Sequence, residues 1–242
     1  MSATITYVHH NCFCLELAGQ VLLFDFPAAA HRPEAASGLV ASRLAGADVT
    51  VFFSHSHDDH CGADIIELAR GAADLRYVLS YDVPELIDAL DLPGAVVLDP
   101  DEGEQTAGEL RVSCLESTDL GVGFLIRHSG TGSRIYFGGD LAEWTWESLD
   151  ERARVAEESY FQECLAEIRD FRPQVAFTNA DPRFPSRGGA RRFAETVAPP
   201  VLVPMHLFGD TSLMSELERD LAQPGVTLFG YREMGDELVV EL

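Results

Sequence analysis

The sequence predicts a single α/β domain in which helices cover a core of sheet, and three observations carry that reading. Short, β-branched apolar runs alternate with segments of helical period along all 242 residues. No linker, low-complexity tract or fixed-period repeat interrupts the composition, so residues 1–242 read as one domain. Hydrophobic residues make up 46% of the chain, enough for a buried core at this length.

The chain opens as a β-meander over residues 4–8, 12–17 and 21–24, with Gly19 and Gln20 turning between the last two strands. Cys12 and Cys14, two apart in a strand, share one face. A helix is expected over 37–44, followed by the apolar run 49–53 as a buried strand. Residues 63–70 read as helix, 77–80 as strand, and 84–90 as another helix with Pro84 in its first turn. Strands follow at 95–98, 110–115, 122–127 and 134–137, the last two joined by a hairpin that Gly130 and Gly132 punctuate. The longest helix is expected over 147–170, since the residue before Pro173 disfavours helical backbone. Strand 175–178, helix 189–196, strand 201–203, helix 212–221 and short strands near Thr227 and Leu238 complete the chain.

Forty acidic residues face seventeen basic ones, all of them arginine, for a formal charge of -23. Such a field repels polyanions, so no nucleic-acid partner is expected. Arg183, Arg187, Arg191 and Arg192 form the densest basic group. They could hold one small anion, but a solvated helix face and loop is the plainer reading. The first seven residues are neither basic nor continuously apolar, and no later run approaches a membrane span, so neither export nor a membrane is expected. Five cysteines, an odd number without zinc-finger spacing, fit a reducing, cytoplasmic setting. A homo-oligomer is compatible with this composition.

The chemistry concentrates in Ser54, His55, Ser56, His57, Asp58, Asp59 and His60, directly after the buried strand. In extended chain, residues two apart point the same way, so His55 and His57 can converge on one metal ion. Asp59 and His60 come at the turn into the next helix and project towards an adjacent point. Leaving this many polar groups buried and unpaired would be costly. Further on, Asp140 follows strand 134–137 through Gly138 and Gly139, and His206 follows strand 201–203 through Pro204 and Met205. Read alone, Asp140 is as readily a turn residue as a ligand, and His206 as readily a core or surface histidine.

The segment from His55 to His60 resembles the His-x-His-x-Asp-His signature of the metallo-β-lactamase superfamily, and Asp140 and His206 are similar to its bridging aspartate and final histidine. The resemblance implies a four-layer αββα sandwich with ligands on loops at one edge of two packed sheets. It implies one or two divalent metal ions, zinc first, with His55 and His57 on the first, Asp59, His60 and His206 on the second, and Asp140 bridging. It further implies a hydrolase that directs a metal-bound hydroxide at a small ester, lactone or phosphodiester. Asp59 would also orient the nucleophile. His9, His10 and Asn11 look like the histidine turn of the family's cytoplasmic lactonase-like branch, which makes His10 the first side-chain candidate to protonate the leaving group.

One departure stands out. The family supplies a third histidine to the first metal, from the stretch between the main motif and the bridging aspartate. Of the eight histidines only His128 lies there, beside the hairpin tip at Gly130. The equivalent position falls near Glu116, Ser117, Thr118 and Asp119. Asp119 could ligate through oxygen or merely cap a turn, and Ser117, Thr118 or His10 could approach instead. A third carboxylate, together with a bound hydroxide, would neutralise a two-metal cluster and suit manganese or iron as alternatives to zinc. Without it, the first site is weak or empty.

For substrate binding, one of Trp144 and Trp146 could wall the pocket while the other packs below, and Trp144 is taken as the wall. Arg183 could meet an anionic group, although an ion pair with aspartate is its plainer role. The competing function is a non-catalytic metal-dependent binding or sensor protein with a degenerate first site. Redox chemistry is a third reading, weakened because His57 stands where the diiron oxidoreductase branch carries glutamate.

Overall fold

Two sheets of seven strands face each other across an apolar interior in the computed structural model, which describes residues 1–87, 92 and 94–242. The first sheet contains β1 (Ser2–His9), β2 (Cys12–Leu17), β3 (Gln20–Phe24), β4 (Asp48–Phe53), β5 (Asp74–Ser80), β6 (Ala95–Leu98) and β14 (Glu237–Glu241), in the order β14-β1-β2-β3-β4-β5-β6. The second contains β7 (Gln105–Ala107), β8 (Leu110–Glu116), β9 (Val122–His128), β10 (Arg134–Phe137), β11 (Val175–Asn179), β12 (Val201–Met205) and β13 (Thr227–Leu228), in chain order from one edge to the other. Both sheets are antiparallel on one side and parallel on the other: β3 to β6 run parallel, as do β10 to β13.

The two-residue period of the strands sorts their side chains into layers. Phe13, Leu15 and Leu17 of β2 face the space between the sheets, while Cys12 and Cys14 face the other way, as their spacing predicts. On that outer face they join Val40 and Leu44 of helix α1 (Glu34–Leu44) and Ile65 of α2 (Ile65–Leu68). Helices α3 (Glu151–Phe171) and α4 (Ala190–Val197) pack together on the second sheet, where Phe193 stacks on Tyr136. α3 buries Phe161, Cys164, Leu165 and Ile168, a stripe at helical spacing. A final short helix, α5 (Met214–Asp220), completes the αββα arrangement.

Differences from the expected elements have local causes. α3 starts at Glu151 rather than 147 because the Asp150 side chain accepts the Ala153 N–H at 2.8 Å and caps it there. It runs one residue past 170 and stops at Arg172, whose φ of 56° leaves the helical region just before Pro173. The helix expected over 63–70 shortens to α2, its end tightening into a 3-10 turn over Ala69–Gly71. Of the helix expected over 84–90, Val83–Glu85 form a 3-10 turn and 88–90 lie outside the described residues. β7, too short to show a period, hairpins onto β8. Among the described residues no helix is long and apolar enough to cross a membrane.

The sheets meet in an aromatic layer. Fully buried Phe24 stacks on Phe137 with ring centroids 4.5 Å apart and also contacts Phe52 and Phe177 at 5.0 and 5.4 Å. Phe24→Ala is expected to lower the unfolding free energy in urea by about 3–5 kcal/mol. A loss below about 1 kcal/mol would mean that this layer does not hold the sheets together.

Candidate metal centre

Parallel strands deliver their carboxyl ends to a common edge, and the polar groups gather there. Asp25 follows β3, Ser54 to His60 follow β4, Asp140 follows β10, Asp181 follows β11 and His206 follows β12. His10 lies in the turn between β1 and β2. Close approach of these loops demands glycine at two positions. A Cβ on Gly121 would collide with the Ser54 carbonyl and the His55 Cβ, and one on Gly139 would lie 2.7 Å from Ser54 Oγ; both residues have positive φ.

Three buried histidines each have Nδ1 beside a side-chain oxygen and Nε2 turned inward. His60 Nδ1 lies 2.8 Å from Asp25 Oδ2, His206 Nδ1 3.1 Å from Asp181 Oδ2, and His55 Nδ1 3.0 Å from Ser54 Oγ. Ser54 Oγ itself donates to Asp25 Oδ2, which leaves the hydroxyl oxygen free to accept from His55. The contacts of His55 and His60 engage Nδ1 and turn Nε2 inward as a ligand atom, while His206, beside Asp140 and Asp181, would give up its Nε2 proton to bind a cation.

The Nε2 atoms surround Asp140, with His206 and His60 at 3.0 and 3.5 Å from Oδ1 and His55 at 3.7 Å from Oδ2. His55 Nε2, His60 Nε2 and Asp140 Oδ1 are buried with no hydrogen-bond partner. Such a set of orphaned donor atoms is what a divalent ion would satisfy. Electrostatics agree. Burial works to raise the Asp140 pKa, but the three histidines hold it well below the usual carboxylate range. Burial likewise opposes charge on His206, yet Asp140 and Asp181 lift it to about 9.

His55, His57 and Asp140 offer ligand atoms within 4.8 Å of one another. His57 is half exposed, and its Nδ1 is 3.9 Å from Asp119 Oδ2. Asp119 thus faces His57, while Thr118 is turned away to hydrogen-bond the Ala142 carbonyl at 2.7 Å. Ser117 instead accepts the Asp119 N–H at 3.3 Å. His128 is buried at the hairpin, with Nδ1 accepting the Thr131 N–H.

His10 also reaches the centre, and its ligand atom groups with those of His60 and His206. Its tautomer is the opposite one. The Phe208 N–H donates to His10 Nδ1 at 3.1 Å, so in a neutral ring the proton sits on Nε2, which lies 3.5 Å from Asp59 Oδ2. Burial, helped by His206, pushes the His10 pKa down to about 3, so the ring is neutral at neutral pH. A neutral Nε2–H can donate a hydrogen bond, and it would have to lose that proton before it could bind a metal. His10 is thus placed at the centre as a neutral hydrogen-bond donor beside Asp59. Asp59, 4.0 Å from His60 Nε2, is held ionised by His10 and His60 although burial opposes this.

Trp144 is placed differently from expectation. Trp144 is buried beneath Trp146 and donates its indole N–H to the Asp140 carbonyl at 3.2 Å, so the ring facing solvent is Trp146. Arg183 grips Asp181 through Nε and Nη2 at 2.6–3.0 Å, the plainer of its two roles. Arg187, Arg191 and Arg192 are likewise paired with glutamates, which leaves no cluster of uncompensated arginine here. Asp25, Asp82 and Asp181 escaped notice as supports. Asp25 and Asp181 brace His60 and His206, and Asp82 accepts the Ser56 N–H at 2.8 Å. Their sequence signal was slight: a lone aspartate at or near a strand end.

A family model described as a β-lactamase superfamily domain matches residues 4–156. The chain belongs to the metallo-β-lactamase superfamily. Among its relatives in this superfamily, a protein of Opitutus terrae named UPF0173 metal-dependent hydrolase is 35% identical over 151 residues, covering 57% of this chain and 63% of that protein. The chain thus spans about 63% of the length of the curated relative it matches. Igni18, a metallo hydrolase from Ignicoccus hospitalis, superposes with a TM-score of 0.65 at 17% identity over 100% of both chains. YhfI from Bacillus subtilis, a metallo-β-lactamase fold protein, does so with a TM-score of 0.64 at 15% identity over 99% of both. These likenesses show the superfamily's αββα fold for this chain.

If Asp25 and Asp181 aim the metal-binding rings, Asp25→Ala and Asp181→Ala should each weaken zinc affinity about 10–100-fold in a chelator competition. Unchanged affinity in folded variants would show that the rings need no support. His10→Gln should keep the metal stoichiometry of the wild type by elemental analysis, and loss of one equivalent would make His10 a ligand after all.

Proposed function

We propose that this protein is a metal-dependent hydrolase acting on a small ester, lactone or phosphodiester. The observation that carries the reading is the ring of three buried Nε2 atoms around Asp140, open on one side to half-exposed His57 and Asp119. A bound divalent ion would supply an acidified water and a Lewis acid for the substrate oxygen. His55, His57 and Asp119 would hold the first ion, Asp59, His60 and His206 the second, and Asp140 both.

Asp59 is ionised at the mouth of the centre and is suited to orient the attacking water. His10 Nε2–H points into the same space and would stabilise negative charge on a substrate oxygen without itself being consumed as an acid. Each site so assigned offers two imidazole nitrogens and two carboxylates, a mixed set that suits zinc and also admits manganese or iron. Five free cysteines fit action in a reducing cytoplasm. The sensor reading keeps one observation in its favour: His57 and Asp119 are each about half exposed and thus the least firmly held of these groups.

Protein purified without added metal, assayed for metal content and then for turnover of ester, lactone and phosphodiester panels with zinc, manganese or iron restored, tests the reading. His57→Ala and Asp140→Ala should each cut kcat/KM by at least about 100-fold, with circular dichroism unchanged. Asp119→Ala should release the first ion and keep the second. Unchanged metal content in the His57 and Asp140 variants would remove the ligand assignment. Full occupancy without turnover on any panel would favour the sensor.

A further inference from the structure

Beside the centre lies an open cleft of about 540 Å³ whose lining includes Trp146, Glu147, Arg183, Phe184 and Pro185. Trp146 is 42% exposed, an unusual position for so large an apolar ring. It does not hang loose. Its ring lies nearly parallel to buried Trp144 with centroids 6.0 Å apart and meets the edge of Phe184 at 4.5 Å, while Ala142, Trp144 and Phe184 form a small buried cluster beneath it.

A second exposed ring, Phe208, also 42% accessible, covers His10 at 4.6 Å and His206 at 4.8 Å. The Arg183 guanidinium links the two, 4.7 Å from the Phe208 centroid and 5.5 Å from that of Trp146. An apolar shelf thus leads from the metal-facing histidines into the cleft.

Charge in the cleft decides what the shelf can take. Nε and Nη2 of Arg183 are spent on the fully buried Asp181 carboxylate, so its charge is compensated and Nη1 is the nitrogen left for another acceptor. Glu147 adds negative charge nearby, and the whole chain carries -23. A phosphate would meet no uncompensated cation here.

We propose that this cleft is a recognition subsite for the planar, apolar, uncharged portion of the substrate, such as the aromatic acyl or alcohol part of an ester or lactone. Its ring lies against Trp146, and Arg183 Nη1 donates to one neutral oxygen. The proposal rests on the hydrolase reading in taking the bound group as part of the substrate, and it narrows that reading away from phosphodiesters.

Isothermal titration of the metal-loaded protein with 2-naphthamide reads the subsite without turnover. Trp146→Ala should weaken binding about 5-fold or more, and Trp146→Phe should stay within about 2-fold of wild type. The saturated analogue decahydro-2-naphthamide should bind about 5-fold more weakly than 2-naphthamide, and 2-naphthyl phosphate no more tightly. Absence of naphthamide binding, equal affinity in Trp146→Ala, or naphthyl phosphate binding about 10-fold more tightly with that gain lost in Arg183→Gln would overturn the proposal, the last by marking Arg183 as an anion site. Intact, Trp146-dependent binding with no hydrolysis of any aryl ester would uphold the subsite while removing the hydrolase reading.

Discussion

The buried carboxylate of Asp25 holds both ends of the histidine segment at once. It accepts the Ser54 N–H and Oγ–H at 2.8 and 2.7 Å, and its second oxygen also meets His60 Nδ1 at 2.8 Å. Through Ser54 Oγ the same carboxylate steadies His55. Burial raises its pKa and these partners pull it back, so the pairing is what lets a charge exist there. Asp25 itself adopts a φ of 40°, a backbone cost tolerated because the strand β3 and the loop after β4 converge on it. The second sheet repeats the device with Asp181 and His206. Each sheet therefore contributes one carboxylate that aims one ring, and Asp140 lies between the two rings.

What could be read from the sequence follows from how local the signal is. His55 and His57 declare themselves because extended chain repeats every two residues, and Asp140 and His206 because each ends a recognisable strand. Asp25 has no such context: its meaning arises from the parallel register of β3 with β4, which places Phe24 beside Phe52 and so brings Asp25 to Ser54. The proton on His10 is set by a backbone group 198 residues away. Sequence spacing also leaves undecided which of two neighbouring tryptophans turns inward. That depends on whether an indole N–H finds an acceptor, and the Asp140 carbonyl supplies one to Trp144. The layer order follows from alternating strand residues, whereas helix limits depend on single caps such as Asp150.

The strong negative charge bears on the same edge of the molecule. All seventeen cations are arginines, and those near the centre are spent on carboxylates. The remaining field draws metal cations towards the loops and holds polyanions away. Asp119 fits this pattern: a carboxylate beside His57 deepens the attraction for a cation while lowering the residual positive charge that a bound ion would exert on water.

Phe208 joins two jobs that are usually separate. Its N–H fixes the His10 tautomer, and its ring forms part of the exposed shelf. Every amino acid except proline brings the same N–H, while only the side chain changes what the shelf can hold. The backbone thus keeps the reactive centre constant under drift at this position, provided the φ of 52° is tolerated. A lineage could exchange ring for aliphatic or polar groups here and alter its choice of substrate while the proton beside the metal-facing histidines stayed where it was.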